Sequence, residues 1–552
     1  MSFFKKIFLS FTKRERVIFL AAAGIALLSF CVSMVMLIAE TTTTVPATGG
    51  EYTEGTVGQP EYVNPVTASS ESDLSIVKMV YSNVPDIADA VTSSPDGKTW
   101  TVRLKPNLHW QDGAQLTSDD VIFTVQSIQN PDAQSPLAAS WNGIEVNRAS
   151  ELEVQFTLPA PYAFFGDNLK NLYIIPKHVF GDVPPGNWRL SDYNLKPVGS
   201  GPYQFASYHK NSDGFIDAYS LTAWKGSFTK QPLIPNFTFN FFRNESDLIK
   251  SFNSGTVDGF ELASPSDIGA IARPYNLFSW RTTDYYAIFL NQSTNEALQD
   301  PAVRRALSLA IDRNDLIADA LGGNGIPDNG PIPSDAAYAS PDINDINIST
   351  SSLNLAATTL DAAGWKLGTN GERVKNVTTT AFPLDITITV PDIDFLVKTA
   401  EIIQNRWQSI GISTTITTDS PESIMDNVVN DRNYETLLFG NILGPSSDLY
   451  SFWDSSERFS PGLNLSTYSN PNVDGLIEAA RTTMNDASRT EDFAEAENDI
   501  FVDAPALFLY STNDLYAAGK NIQGIATGTL DDPSDYSREV PDWYLETTRT
   551  LK

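Results

Sequence analysis

Cysteine and histidine are nearly absent from this sequence of 552 residues. Its one cysteine, Cys31, lies inside an apolar run, so the rest of the chain has no thiol for a disulfide, a zinc site or a nucleophile. The three histidines, His109, His178 and His209, are far apart and show no metal-ligand spacing. We therefore expect neither a bound metal nor a cofactor.

Basic residues are also scarce. The chain has 37 lysines and arginines against 67 aspartates and glutamates, a net charge of −30. Nucleic-acid binding needs a basic surface to meet the phosphates, so this balance argues against a nucleic-acid partner. A solvated acidic surface is the simplest interpretation of the charge, and it favours neutral or cationic partners.

Complete enzyme signatures are missing as well. The sequence has no G-x-S-x-G elbow and no P-loop, and "GGNG" at residues 322–325 follows a helical pattern rather than a strand. "SIVK" at residues 75–78 fits S-x-x-K, but no K-T-G or S-D-N follows it. In so acidic a chain, the sequence does not exclude a pair of carboxylates placed for glycoside hydrolysis. We expect a protein without catalytic activity, with a surface hydrolase as the alternative.

A long apolar run occupies residues 17–39, after a basic segment at residues 1–16. It exceeds the ~20 residues that a helix needs to cross a bilayer core and the ~7–15 of a signal-peptide core. The basic flank should stay in the cytoplasm, so we predict a single-pass anchor with the remaining chain on the periplasmic or extracellular face. Residues 40–49 are expected to form a short linker of at most ~35 Å.

Two alternatives to an uncleaved anchor remain open. The run could be removed by cleavage near Ala39 or Ala47. Cys31 could be lipidated, although Phe30 occupies the place before it where a lipoprotein cleavage box needs a small residue.

The segment "HWQDGAQLTSDDVIFTV" at residues 109–125 combines a histidine, a tryptophan and acids as an active site would. The pattern predicts the start of a helix instead of an active site. Thr117 is a natural helix N-cap, Asp120 is its capping-box partner, and acids at a helix start suit the helix dipole. His109 has no nearby nucleophile to activate. We interpret this segment as scaffold.

Two other segments have a clear pattern. At residues 300–322, Asp300 caps one helix and Asp312 with Asp315 begins a second. Residues 383–417 alternate as a strand, then show a helical stripe, then alternate again. Strand, helix and strand in this order predict a parallel βαβ unit and hence an α/β layer.

Several segments together resemble the family 5 extracellular solute-binding proteins of ABC transporters, the oligopeptide- and dipeptide-binding type. They occur in the family's order over about residues 50–530. The matching segments are "GGEYTEGTVGQPEYVNPV", "DGKTWTVRLKPNLHWQDGAQLTSDDVIFTV", "KPVGSGPYQFASY", "SGTVDGF", "YAIFLNQSTNEALQDPAVRRALSLAIDR", "NGPIPS", "LDAAGW" and "GPSSDLYSFWDSSERFSPGLNLSTYSNPNVDGLIEAAR". One departure is that "VYSN" leads almost directly to "VPDIADA", which shortens a first-lobe element near the cleft.

The resemblance implies an α/β fold of two lobes around a cleft, like a type II (cluster C) periplasmic binding protein. A small domain is inserted in the first lobe, and here a transmembrane helix precedes the whole. The first lobe is expected to comprise residues 50–85, 196–280 and 508–552. The inserted domain is expected at 86–195 and the second lobe at 281–507.

The resemblance also implies a function. A peptide is captured in the cleft and delivered to an ABC permease in the cytoplasmic membrane, by a receptor expected to be a monomer. Asp448 is expected to bind the peptide's charged amino end, although an aspartate there also suits a helix cap. The other expected ligand contacts are Ser447, Tyr450 and Trp453, then Gly55, Thr56 and Val57 on the facing lobe, and Tyr286 and Asn291.

The same fold leaves other functions open. The ligand could be an oligosaccharide, an opine or a metal chelate, of which a metal is disfavoured by the few histidines. The protein could also act as a tethered sensor without a permease. Fold alone does not decide between these functions.

Overall fold

The computed structural model describes residues 11–334, 336–340, 353–377, 380–444 and 446–551. The apolar run lies in one helix, α1 (Lys13–Thr41), which is exposed along its length and is long and apolar enough to cross a membrane. Residues 1–10 of the expected cytoplasmic segment lie outside the described residues.

The strands, in chain order, are β1 (Thr42–Ala47), β2 (Glu51–Val57), β3 (Ala88–Ser93), β4 (Thr99–Leu104), β5 (Glu145–Ser150), β6 (Glu153–Thr157), β7 (Tyr203–Lys210), β8 (Ile216–Ala223), β9 (Asn236–Phe242), β10 (Gly259–Leu262), β11 (Tyr275–Thr282), β12 (Asp284–Leu290), β13 (Gly325–Pro327), β14 (Lys366–Leu367), β15 (Arg373–Val377), β16 (Thr380–Pro383), β17 (Asp385–Pro391), β18 (Ser413–Asp419), β19 (Thr436–Ile442), β20 (Ala506–Gly519), β21 (Thr529–Leu530) and β22 (Glu546–Leu551).

The longer helices after α1 are α2 (Glu71–Val80), α3 (Ser118–Gln129), α4 (Glu245–Ser254), α5 (Pro301–Leu309), α6 (Arg313–Ala320), α7 (Leu353–Ala362), α8 (Asp394–Ser409), α9 (Pro471–Thr482) and α10 (Asp486–Asp503). Short helical turns occupy Val84–Ile87, Pro131–Ala133, Ala138–Trp141, Phe165–Lys170, Lys177–Phe180, Pro185–Leu190, Asp192–Asn194, Pro265–Ala270, Glu296–Gln299, Pro421–Ser423, Ile424–Val429, Tyr450–Trp453, Ser455–Glu457, Pro533–Asp535, Tyr536–Glu539 and Val540–Asp542.

One large sheet runs through both lobes, in the order β18-β17-β19-β12-β20-β10-β2-β9-β8-β7. Strand β20 is 14 residues long and belongs to both halves of this sheet. Its first part pairs with β12, and its second part pairs with β10 and β11. Tyr510 is still opposite Tyr286, whereas Asn513 is opposite Arg281. The chain therefore passes between the lobes inside β20, a few residues after the expected boundary at 508.

The second lobe contains the βαβ unit that the sequence predicts. Strands β17 and β18 are parallel, from Asp385 opposite Ser413 to Pro391 opposite Asp419, and α8 connects them. The apolar stripe of α8, including Ala400, Ile403 and Trp407, is fully buried. This prediction is confirmed, because all of its signals lie within one short stretch of chain.

The predicted helix caps are also present. The side chain of Asp300 accepts a hydrogen bond from the amide of Ala302 at 3.0 Å, and Asp312 accepts from the amide of Asn314 at 3.1 Å. At the start of α3, Thr117 and Asp120 form the expected capping box. The amide of Thr117 donates to Oδ2 of Asp120 at 2.9 Å, so Asp120 serves the helix start, as the scaffold interpretation requires. Asp112 instead pairs with Nε2 of His178 at 2.7 Å.

The inserted domain is built on a four-stranded sheet in the order β3-β4-β6-β5. Its core is continuous with that of the first lobe, since one cluster of buried side chains includes both Val121 of α3 and Tyr52 of β2. Phe164 is different: it packs among second-lobe side chains and stacks on Phe493 at 6.0 Å. The inserted domain thus shares a core with one lobe and reaches the other through a local contact.

The segment expected to be a linker is largely a strand. Strand β1 pairs antiparallel with β22 at the other end of the chain, from Thr42 opposite Leu551 to Ala47 opposite Glu546. Because β1 begins directly after α1 ends, the C-terminal strand reaches the end of that helix. The local sequence gives no sign of this pairing, since the partner strand lies at the opposite end of the chain.

Candidate ligand-binding cleft

The two connections between the lobes are tied together by side chains. One connection runs from Thr282 to Asp284, and the other lies within β20 at residues 511–513. The hydroxyl of Thr512 donates to Oδ2 of Asp284 at 2.9 Å. Oγ1 of Thr282 contacts Oδ1 of Asp284 and lies 3.1 Å from the carbonyl oxygen of Thr512. These contacts form the junction at the base of the cleft.

A cavity of about 170 Å³ lies beside this junction. Its lining comes from the first lobe at Leu262, Ala263 and Pro265, from the second lobe at Tyr286, Leu321, Asn324 and Phe395, and from residues 512–515 of β20. Tyr286 meets Phe395 edge to face at 5.3 Å. The other side of its ring covers Gly440, where an added Cβ would lie 2.7 Å from a ring carbon. The predicted contact Tyr286 therefore lies in the cleft between the lobes.

A second cavity of about 100 Å³ shares Leu262 and Ala263 with the first and extends along the first lobe. The predicted contacts Gly55, Thr56 and Val57, at the end of β2, line it. Gly55 has a packing role as well. A Cβ there would lie 2.2 Å from a methyl of Leu248, so glycine allows α4 to pack on β2.

The wall of this second cavity is rich in carboxyl groups, contributed by Glu54, Glu71, Glu245 and Glu261. Glu54 is fully buried and accepts hydrogen bonds from the hydroxyls of Tyr516 and Tyr536. Burial raises the pKa of Glu54 despite these two bonds.

Three neighbouring carboxyl groups also have raised pKa values. Burial raises the pKa of Glu261 well above its ordinary value, and the charges of Glu71 and Asp514 add to the effect. Burial likewise raises the pKa of Glu245 and of Asp514, each to about 7. Sequence reasoning missed this group. The available signal was an acid between apolar neighbours in a strand, as in "GFEL".

Asp448 lies in a different and larger cavity of about 590 Å³, between the inserted domain and the second lobe. Its Oδ2 accepts from Nε of Arg481 at 3.0 Å and from the hydroxyl of Tyr162 at 3.2 Å. Its Oδ1 accepts from the amide of Tyr450 at 3.1 Å, at the start of a short helix. Tyr450 lines the same cavity, with its ring centroid 4.1 Å from the guanidinium carbon of Arg481.

The remaining predicted contacts line none of these three cavities. Trp453 is fully buried in the second lobe, where its indole N–H donates to the hydroxyl of Tyr285 at 3.2 Å. Asn291 is buried and donates to the carbonyl oxygen of Arg432 at 3.0 Å. Ser447 is buried too, with a backbone φ of 51°. Trp453 and Asn291 thus bond within the second lobe.

Known proteins share this architecture. The pattern of the bacterial extracellular solute-binding proteins, family 5 Middle, matches residues 83–460. The oligopeptide-binding protein AppA of Bacillus subtilis is 25% identical over 503 residues, covering 87% of this chain and 89% of AppA. The solved structure of AppA in complex with a nonapeptide covers 91% of this chain and 100% of that chain, with a TM-score of 0.68 and 22% identity.

Two further solved structures are similar. The ABC transporter substrate-binding protein CtaP of Listeria monocytogenes has a TM-score of 0.76 and 26% identity, covering 90% of this chain and 99% of that chain. NikZ of Campylobacter jejuni, in complex with Ni(L-His), has a TM-score of 0.69 and 22% identity, covering 90% and 99%. The two-lobed fold and the resemblance found in the sequence are confirmed, and the chain belongs to the bacterial extracellular solute-binding proteins of family 5.

Proposed function

We propose that this protein captures peptides in the cleft between its lobes and delivers them to an ABC permease in the same membrane. The observation that carries the proposal is the cleft itself. Both lobes line it, at Ala263 and at Tyr286 and Phe395, and β20 contributes its base. The peptide-binding relative AppA supports a peptide as the ligand.

The form of the cleft suits an extended peptide. The first-lobe cavity begins at the end of β2 and continues past the end of β10, so strand ends adjoin the space that a ligand would occupy. Main-chain hydrogen bonds from such positions are independent of side-chain identity, which is how a receptor accepts peptides of many sequences. Binding that involves both lobes favours the closed arrangement, because only a ligand with more contacts in that state shifts the population towards it.

Helix α1 supports a tethered rather than a freely diffusing receptor. Its length and apolar composition suit a membrane span, and the side chains of its apolar part that the structure describes are exposed. A tether raises the effective concentration of the receptor at a permease in the same membrane. After alkaline extraction of membranes, the intact chain should stay in the pellet. Release of a chain that lacks residues 1–39 would instead indicate cleavage.

Peptide capture is tested with the full chain in detergent. Thermal unfolding is measured with and without pools of tri-, tetra- and octapeptides. A ligand at 100 times its dissociation constant should add ~2.7 kcal/mol to the free energy of unfolding and raise the midpoint. If no pool raises the midpoint and native mass spectrometry finds no ligand already bound, the proposal fails. A rise with a sugar or a metal chelate alone would assign the cleft to a non-peptide solute.

A further inference from the structure

Strands β1 and β22 form a two-stranded ribbon that begins where α1 ends. Thr42, the first residue of β1, follows Thr41 of α1 and lies opposite Leu551 of β22. The pairing continues along β1 to Ala47, which lies opposite Glu546. Leu551 therefore lies at the end of the ribbon next to the helix, and Glu546 lies at the other end.

That other end is fixed to the first lobe through both strands. After β1, the amide of Gly49 donates to the carbonyl oxygen of Leu233 at 2.9 Å. Before β22, Tyr544 and Gln523 exchange two backbone hydrogen bonds, at 2.9 and 3.0 Å. Leu545 packs against the core of the first lobe. Because both strands are held, the ribbon has less freedom to swing than a linker made of a single chain.

The ribbon projects into solvent. Every residue of β22 is exposed, and β1 contains only exposed and half-buried residues. The ribbon is six residues long, and a strand rises ~3.3 Å per residue. It therefore separates the end of α1 from the first lobe by ~20 Å.

The sequence of α1 sets the depth of the ribbon's tip when this helix spans a membrane. The apolar run ends at Ala39, and only Glu40 and Thr41 separate it from Thr42. At ~1.5 Å per residue, Thr42 lies ~5 Å beyond the hydrocarbon core. The headgroup layer on each side of a bilayer is ~5–7 Å thick. Thr42 and its partner Leu551 are thus placed in the headgroup layer.

The side chains at the tip suit this layer. Leu551 is apolar and 80% exposed. Side chains alternate across a strand, so Arg549 lies on the same face as Leu551. Arg549 donates to the hydroxyl of Thr42 at 3.2 Å, which keeps it near the end of α1. A single exposed leucine is common on protein surfaces, but this one adjoins a helix suited to a membrane. An arginine there can lay its apolar stem along the lipid and present its charge to phosphates.

We propose that the β1–β22 ribbon is a stalk that stands on the bilayer, with Leu551 in the headgroup layer and Arg549 facing the lipid phosphates. This inference rests on the proposed membrane span of α1 and deepens it, whatever ligand the cleft takes. An isolated two-stranded ribbon is only marginally stable in water. Here the first lobe supports one end and the bilayer the other. The stalk holds the cleft at a set height above the membrane in which the permease lies.

The test measures depth at two positions of β22. The full chain, with Cys31→Ser so that one added cysteine can be labelled, is placed in phosphatidylcholine nanodiscs that contain a lipid with a spin-labelled headgroup. A nitrobenzoxadiazole fluorophore is attached at Thr550→Cys or, as the matched control, at Glu546→Cys. We expect at least about threefold stronger quenching at residue 550, because the two positions differ by ~13 Å along the strand.

Two further variants examine the cause of this difference. Thr547→Pro combined with Thr548→Pro removes two amides from β22 and should unpair the ribbon, so the difference between the two positions should be lost. Leu551→Asp keeps the strand and removes the apolar side chain. It should weaken the quenching at residue 550, because a carboxylate avoids the apolar edge of the headgroup layer.

The possible failures are distinguishable. A chain that does not purify with the nanodiscs would show that α1 is no anchor, and the proposed tethering would fail. In a nanodisc-bound chain, equal quenching at residues 550 and 546 would overturn the stalk, because the ribbon would then lie flat or move freely. A difference that persists in the double proline variant would overturn it as well. Quenching that Leu551→Asp leaves unchanged would overturn the contact of Leu551 with lipid.

Discussion

Nε of Arg481 lies 3.0 Å from Oδ2 of Asp448. The aspartate predicted to bind a peptide's amino end thus already has a cation on the neighbouring helix α9, and Tyr162 of the inserted domain donates to the same oxygen. A peptide ammonium would have to share or displace Arg481.

This pairing predicts a structural role for Asp448. In a double-mutant cycle, Asp448→Ala and Arg481→Ala should each lower the free energy of unfolding and should couple by about 1 kcal/mol, because both remove one partly buried ion pair. Urea unfolding measures the coupling. Peptide affinity should change less than about threefold, in keeping with the small energy of such a pair. Loss of peptide binding in Asp448→Ala with unchanged stability would return Asp448 to the ligand site.

The carboxyl groups of the cleft predict a specific dependence on pH. The pKa of Asp514 is raised to about 7 by burial and by the charges of Asp284, Glu71 and Asp532, whereas an unfolded aspartate titrates near ~4. Between these values the folded state holds more protons than the unfolded state. The free energy of unfolding of the unliganded protein should therefore fall as pH rises from about 4 to about 7.

Comparison with Asp514→Asn isolates the contribution of this group, since all other titrating groups are the same in both proteins. The variant should have a flatter pH profile. A pH profile of Asp514→Asn as steep as that of the unchanged protein would contradict the interpretation.

Gly55 predicts a packing defect on substitution. Gly55→Ala places a Cβ 2.2 Å from Leu248 and 2.8 Å from Val257, so helix α4 must shift away from β2. We expect a loss of about 1–3 kcal/mol, typical of overpacking. Gly475→Ala is a matched control on α9, where nothing lies within 4 Å of the added Cβ. It should be neutral or gain about 0.5–1 kcal/mol from helix propensity. Equal losses in both variants would contradict the packing argument.

The β1–β22 ribbon predicts the effect of a C-terminal deletion. Without residues 546–552, β1 loses its partner strand along its whole length. We expect protease cleavage within residues 42–47 in the deleted form, while the intact chain is protected there. Peptide affinity should not change, since the ribbon lines none of the described cavities. Equal cleavage in both forms would show that the ribbon adds no protection.

Predictions from the sequence succeeded where the signals are local. The capping box of Thr117 and Asp120 and the unit β17-α8-β18 each depend on a short stretch of chain, so spacing alone reveals them. The resemblance to the family's motifs then predicted the two-lobed architecture. Local patterns gave no account of β1, whose partner is the last strand, because strand pairing depends on topology.

The candidate site was predicted only in part. Gly55 lines the first-lobe cavity and Tyr286 the adjoining cavity between the lobes, and their contact with a ligand stays a prediction. Asp448 forms an ion pair with Arg481, and no sequence motif predicts this partner. The carboxyl groups of Glu245, Glu261 and Asp514 come from three elements, and only the folded sheet brings them near one another.

The most direct measurement is photo-crosslinking of the full chain with a tetrapeptide that carries a benzophenone side chain, followed by mass spectrometry of the adducts. The account predicts adducts at residues 55–57, 261–265, 286, 395 and 512–515, competed away by the unlabelled peptide. Competed adducts confined to residues 139–168 and 478–482 would place the ligand in the cavity of Asp448. Absence of any competed adduct would contradict peptide capture in the cleft.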